Sequence, residues 1–274
     1  MRKRDSSPPH PPGTVLQHMY LRERLSEVAP GRFVEVGVGS GHVAQLLLSL
    51  GWSGIGYDLN PSAVAHAAEL NSDYVAAGRF SAHALDWLAS SAEQKSTVDL
   101  VVSSMVLEHL DEGEVTRYFE RCNEALKPGG RSILLVPGSP RHWGIEDEIA
   151  GHHRRYTATS LETTVHEHGW GMVHVAGLTY PMSNLLLGAS NLLVRRAEQD
   201  KTTLALKERT ELSGDRRVGW KTDFPPWLHV MLNQTALLPF HWLQKRYRQA
   251  NDALVIYCEC VPPAPSGDGV VQAR

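Results

Sequence analysis

With 274 residues, 42% of them hydrophobic, the chain can form one large globular domain and bury a sizeable core. A formal net charge of −3 supplies no overall basic field, which argues against nucleic acid as the main partner. Three cysteines, Cys122, Cys258 and Cys260, offer no disulfide framework, and the last two share a face of one predicted strand as buried thiols.

The opening Met1-Arg2-Lys3-Arg4 is basic, but Pro, His and Ser follow rather than an apolar stretch. No signal peptide is therefore expected, and the default location is cytoplasmic. Residues 1–12 and 262–274 are rich in Pro, Ser and Gly and are expected to be disordered tails. Thr14 to Val28 is amphipathic through Val15, Leu16, Met19, Leu21 and Leu25, and reads as an N-terminal helix stopped by Pro30. Strands are expected at 32–36, 54–57, 79–83, 98–103 and 131–136, with helices at 41–50, 61–70, 87–92 and 112–126. Asn60-Pro61 makes a good helix start, because Pro suits the first turn. A helix from Thr159 to His168, a strand from Met172 to Leu178 and a strand from Ala253 to Val261 complete the pattern. Short apolar strands alternating with helices call for an α/β, mostly parallel, doubly wound sheet. Ligands of such sheets sit beyond the carboxyl ends of the strands, where Glu35, Asp58, Asp86 and Ser103 all fall.

Roughly 70 residues separate the sixth and seventh strands, and a loop that long inside a compact domain is usually functional or separately structured. We expect a helical insert at 181–250 within a single domain spanning 1–274. Its apolar segments, Pro181 to Val194 and Trp227 to Tyr247, are short of a membrane span and interrupted by Asn and Gln. A lid over a substrate pocket or a homodimer contact is preferred; an interfacial membrane helix is the less favoured alternative. The stretch Lys201 to Lys221 between them is charged and expected to be exposed.

Phe33-Val34-Glu35-Val36-Gly37-Val38-Gly39-Ser40-Gly41 reads as a buried strand running into a glycine-dense turn and a helix. Glycines there allow tight turning and close approach to a ligand, and the helix N-terminus presents free N–H groups. A dinucleotide fingerprint wants G-x-G-x-x-G, but His42 stands where its third glycine should be. Asp58, closing the run Gly54-Ile55-Gly56-Tyr57-Asp58, is placed to accept both hydroxyls of a ribose. This combination resembles the class I S-adenosylmethionine-dependent methyltransferases, and later segments extend the likeness over roughly residues 32 to 178. Ser81 to Trp87 looks like the family's third acidic site, and Val98 to Leu110 resembles strand four of the ubiquinone-biosynthesis-like members (methyltransferase domain type 11 or 23). Ala125-Leu126-Lys127-Pro128-Gly129-Gly130 and Ile133 to Pro137 match the usual turn and fifth strand.

The resemblance implies a seven-stranded Rossmann-like sheet with an antiparallel last strand, and S-adenosyl-L-methionine as cofactor. By the same likeness, Glu35, Gly37, Gly39 and Gly41 belong to the cofactor turn, and Asp58 with Leu59 to the ribose end. Asp86 would take the adenine amino group, Trp87 or Leu85 would pack on the ring, and backbone near Ser103 would face the methionine end. Gly151-His152-His153-Arg154-Arg155-Tyr156 resembles a G-H-x-R-R-Y segment found in a subset of these enzymes. Its donors could bind an anionic or hydroxylated substrate, with His152 and Tyr156 as candidate catalytic groups. Equally, Arg154 or Arg155 could lock Glu146, Asp147 or Glu148 to fix the loop. His109, just past strand four, is a candidate base, or else a residue packed at a helix start. Tyr20 and Arg22 of the first helix are expected over the substrate. No metal is expected, since His166 and His168 face different sides of their helix. The reaction implied is methyl transfer to oxygen or nitrogen of a small molecule; a lipid-soluble acceptor and a non-catalytic cofactor-binding scaffold are the alternatives.

Overall fold

The computed structural model describes residues 10–90, 95–198 and 224–263. Most of the expected tails, and the Lys201 to Lys221 stretch, therefore lie outside the described residues. The elements in order are α1 (Pro12–Ser26), β1 (Arg32–Val36), α2 (His42–Ser49), β2 (Ser53–Asp58), α3 (Pro61–Leu70) and α4 (Ser72–Ala76). Next come β3 (Phe80–Ala84), β4 (Val98–Ser104), α5 (Glu112–Ala125), β5 (Leu126–Pro137), α6 (Ile145–Ala150) and α7 (Ala158–Glu167). The chain finishes with β6 (Gly171–Leu178), α8 (Met182–Glu198), α9 (Leu238–Arg246) and β7 (Val255–Val261).

The strands form one seven-stranded sheet in the order β3-β2-β1-β4-β5-β7-β6, with β7 antiparallel to both neighbours. The order reverses between β1 and β4, so the carboxyl edge opens a crevice there. Two cores cover the two faces. Tyr118 and Phe119 of α5, with Leu161 and Val165 of α7, pack on one. Tyr20, Leu21 and Leu25 of α1, with Leu46 and Leu47 of α2, pack on the other. Burying strands on both sides explains why they read as continuous apolar runs instead of alternating.

Local chemistry sets the helix starts. The Asn60 side chain accepts from the Ser62 amide at 2.9 Å, with Pro61 at the first helical position. Asp111 and Glu114 make a reciprocal capping box at α5 (2.8 and 3.0 Å). The expected helix at 87–92 is corrected over its described part: Asp86 Oδ1 accepts the Leu88 amide at 2.9 Å and the Ser90 amide reaches the Asp86 carbonyl at 3.0 Å, making a single turn over 87–90, while 91–92 lie outside the described residues. The acid-rich run before Gly151 is the short helix α6, ended by Gly151 at φ 74°. The second apolar segment of the insert is not one helix. Asn233 bonds the carbonyls of His229 (2.7 Å) and Val230 (2.8 Å), separating a 3₁₀ turn at Pro226–Val230 from α9. Among the described residues no helix is long and apolar enough to cross a membrane.

Candidate active site

The glycine turn between β1 and α2 holds three glycines at positive φ for different reasons. At Gly41 (φ +81°) a Cβ would lie 2.7 Å from the Ala67 Cα, so this glycine lets α2 pack on α3. Asn71 secures that contact by donating to the carbonyls of Gly41 (3.0 Å) and Ala67 (2.9 Å). At Gly37 (φ +73°) a Cβ would lie 2.5 Å from Val106 Cγ2. At Gly39 (φ +50°) nothing stands within 4 Å of that position. Gly41→Ala should therefore destabilise the fold by about 2–4 kcal/mol, combining left-handed strain with overpacking. Gly39→Ala should cost only the strain, about 1–2 kcal/mol. Urea denaturation of the two variants checks this, and equal losses would contradict it.

Gly37 and Gly39 line a cavity of about 1210 Å³ that runs along the carboxyl edge of the sheet. Asp58 at the end of β2 and Asp86 after β3 both line it, so the two carboxylates share one space. Asp58 is fixed by backbone: Oδ2 accepts the Gly39 amide at 2.8 Å and Oδ1 the Asn60 amide at 2.9 Å. Leu59 and Leu85 lie on the same wall, 52% and 47% exposed, as an apolar slab between the two acids. Trp87 touches the wall, but its ring is buried, edge-on to Tyr118 and under the Arg121 guanidinium. Of the two ring-packing candidates, Leu85 is the one the geometry leaves open.

Three expected site residues stand elsewhere. Glu35 is buried beneath the turn and does not line the cavity. Burial raises its carboxyl well above the usual range, Asp58 adds to this, and a hydrogen bond from the Ala44 amide opposes it. The Ser103 hydroxyl accepts from Tyr118 in the core at 3.1 Å; Ser104, Met105 and Val106 form the cavity lip there. Tyr156 is 2% exposed, sits in the core and does not line the cavity. Strand-like parity at the end of β4, and the isolated pairing of Tyr156 with Gly138, turn these side chains inward. Tyr20 and Arg22 also point away, to His174 (2.8 Å) and Ser49 (3.3 Å). From α1 it is Pro12, Gly13, Thr14 and Gln17, with Pro11 ahead of them, that reach the cavity, and no sequence signal marked them.

At the far end of the same cavity the turn after β4 meets the loop after α6. The His153 amide donates to the Glu108 carbonyl at 2.7 Å, tying the two together. His109 and His152 line the cavity with ring centroids 4.7 Å apart at 80°. His152 Nδ1 bonds Asp147 Oδ1 at 2.9 Å, and Arg155 Nε donates to the same oxygen at 2.6 Å. Burial alone would raise the Asp147 carboxyl, but the bonds from His152 and Arg155 outweigh it and hold it at about 2. Arg155 thus fixes the loop, whereas Arg154 pairs with Glu112 (2.5 Å), not with the acids of α6. Glu108 is fully buried, and burial raises its carboxyl to about 8. Burial, then the nearby His152, lowers His109 to about 3, so its imidazole stays neutral.

A glycine turn, two carboxylates and a polar cluster along one crevice of a 3-2-1-4-5-7-6 sheet are the layout of a group-transfer enzyme with a nucleoside cofactor. The chain belongs to the methyltransferase domain family, whose model matches residues 16–175. Among solved structures, a phosphoethanolamine N-methyltransferase 2 of Haemonchus contortus in complex with S-adenosyl-L-methionine is similar at TM-score 0.56 and 18% identity. The likeness covers 90% of this chain and 52% of that one. The YcgJ protein of Bacillus subtilis is similar at TM-score 0.54 and 12% identity, over 90% of this chain and 99% of that one. Identities this low speak to the fold alone. A UDP-N-acetylmuramate–L-alanine ligase of Salinibacter ruber is 31% identical over 196 residues, which is 68% of this chain. The matched region spans only 38% of that protein's length.

Proposed function

We propose that this chain is a class I enzyme transferring a methyl group from S-adenosyl-L-methionine to an oxygen or nitrogen of a small organic molecule. One observation carries the reading: Asp58 and Asp86 line a single cavity with the glycine turn at one end and His109 and His152 at the other. The residues fit the cofactor, because Gly39 leaves open space where a Cβ would stand, beside Asp58, Leu59 and Leu85. In this reading Asp58 accepts the ribose hydroxyls, Asp86 the adenine amino group, and Leu59 and Leu85 enclose the ring. Gly37 and Gly39 give backbone access, Gly41 and Glu35 support the turn from below, and backbone from Ser103 to Met105 faces the methionine end. The bound cofactor supplies a methyl group on a sulfonium, so transfer depends mainly on placing the acceptor in line with it.

The protein's own contribution is then orientation and water exclusion. Asp147 holds the His152 ring through Nδ1, which leaves Nε2 to accept a hydrogen bond or a proton from the acceptor. His109, held neutral by its burial, serves as a positioning group. The described parts of the insert act as a lid: Leu186, Leu187, Met231 and Leu232 line the cavity. The G-H-x-R-R-Y segment supplies His152 and also Arg155, which bonds the Asp147 carboxylate that braces it.

Isothermal titration of the intact chain with S-adenosyl-L-methionine should show one site per chain, and no binding by folded protein would end the assignment. Incubation with methyl-labelled cofactor and a small-molecule extract should give a labelled product; a bound cofactor with no transfer would favour the scaffold reading. A lipid-soluble acceptor is a second reading, favoured by the exposure of Leu185, Trp227, Val230, Met231 and Trp242 on the insert. In that version the protein should float with liposomes, and replacing Trp227 and Trp242 by Ser should release it.

A further inference from the structure

We propose that Glu108, His109 and His152 form a site for one divalent transition-metal cation, of the zinc type in its ligand preference, at the acceptor end of the cavity. Each offers one ligand atom, and the three atoms lie within 4.8 Å of one another. Two imidazoles and a carboxylate are a donor set suited to zinc and its neighbours.

The site is built from underneath. Neither carboxylate oxygen of Glu108 has a hydrogen-bond partner on another residue, its own backbone amide being the one donor beside it, and the side chain is fully buried. An unpartnered buried carboxylate is costly, and a cation is one of the few groups that would satisfy it. His152 Nε2 stands 3.9 Å from Glu108 Oε1, while its Nδ1 is committed to Asp147. His109 Nδ1 is likewise buried without a partner. In the His152 ring the Asp147 carboxylate holds Nδ1, which leaves Nε2 facing Glu108. That is the arrangement outer-shell carboxylates and carbonyls impose on metal-ligating histidines. The 3.9 Å between His152 Nε2 and Glu108 Oε1 exceeds the roughly 3.4 Å edge of a tetrahedral zinc site, so a small side-chain rotation would close these ligands around an ion. His109 and His152 line the cavity, which leaves a coordination position facing the acceptor.

The assignment of residues to metal stands without any cofactor. Its link to catalysis rests on the methyl-transfer reading: an acceptor oxygen would complete the coordination and be held facing the cofactor end. Nε2 of His152 would then be a ligand and not a proton acceptor.

The test uses the full chain without S-adenosyl-L-methionine, stripped with chelator, and Zn²⁺ as the probe in competition with a chromophoric chelator. The expected result is one tight Zn²⁺ per chain. Glu108→Gln and His152→Ala should each weaken it at least 100-fold with the fold intact by thermal melting. Asp147→Asn should weaken it by about 10–100-fold, the usual effect of removing an outer-shell partner. Co²⁺ substitution gives a second readout, since its visible absorption should appear in wild type and be lost in His152→Ala. Absence of stoichiometric binding, or Zn²⁺ retained equally by both ligand variants as surface-histidine binding would be, overturns the proposal. Either result leaves cofactor titration to decide the methyl-transfer reading separately.

Discussion

Replacing Asp58 with alanine should weaken binding of S-adenosyl-L-methionine by about 100-fold or more while the protein stays folded. A carboxylate that accepts two hydroxyls makes two charge-assisted hydrogen bonds, each contributing about 1.5–3 kcal/mol. Even the lower end sums to about 3 kcal/mol, which is about two orders of magnitude in Kd. A second contribution comes from the turn itself. Asp58 holds the Gly39 amide at 2.8 Å and the Asn60 amide at 2.9 Å, so its loss also loosens the backbone the cofactor would meet. Asp58→Asn separates the two effects. Its amide oxygen can keep one backbone bond while its NH₂ group cannot accept a second, so an intermediate loss is expected. Titration of both variants with the cofactor and with its demethylated product, beside thermal melts, checks the order. Native-like affinity in a folded Asp58→Ala protein would sink the pocket assignment.

The centre of the sheet was legible because β4 and β5 are buried on both faces and leave continuous apolar runs, as Leu100 to Val102 and Ile133 to Val136 do. Asn60-Pro61 and the glycine turn were legible because their backbone chemistry is local. The acids at strand ends were legible for the same reason: position along a strand fixes which edge they reach. What a strand end does not fix is side-chain direction. Ser103 and Ser104 differ by one residue and face opposite ways, one to Tyr118 and one to the cavity. Nor did spacing distinguish Gly39, open to the cavity, from Gly41, which is pressed against α3. The cluster at Glu108, His109 and His152 joins residues more than 40 positions apart through the tie between His153 and Glu108. Sequence order placed both segments on the substrate side, but only tertiary packing shows that the two imidazoles share one buried carboxylate. Asp86 accepts the Leu88 and Ala89 amides as a helix N-cap does, so local chemistry marks the turn that starts there without fixing how far it continues.

Glu259→Ala should lower the unfolding free energy by about 3 kcal/mol, the low end of what removing one partner of a buried ion pair costs. Glu259 on β7 is buried and gathers three donors from three elements. Arg24 Nε of α1 lies 2.6 Å from Oε1, the Tyr257 hydroxyl donates to Oε1 at 2.8 Å, and Arg131 Nη1 of β5 lies 3.2 Å from Oε2. The knot therefore ties the N-terminal helix to the antiparallel end of the sheet. Arg24 and Arg131 are 28% and 32% exposed, so in the variant their charges reach water, which holds the loss to the lower figure. Tyr257 has no such escape, because its hydroxyl is buried and loses its acceptor. The pH dependence has a definite sign. Burial alone would raise the Glu259 carboxyl, but the bonds from Arg24 and Tyr257, with the charges of Arg24 and Arg131, leave it lowered. A carboxyl lowered on folding contributes stability that is fully present above its unfolded value, about 4.3, and is lost as pH falls through the folded value. Wild type and Glu259→Ala should therefore differ most near neutral pH and converge below pH 4 in urea denaturation. A difference that stays constant from pH 7 to pH 3 would mean the glutamate contributes packing alone, without the ion pairs.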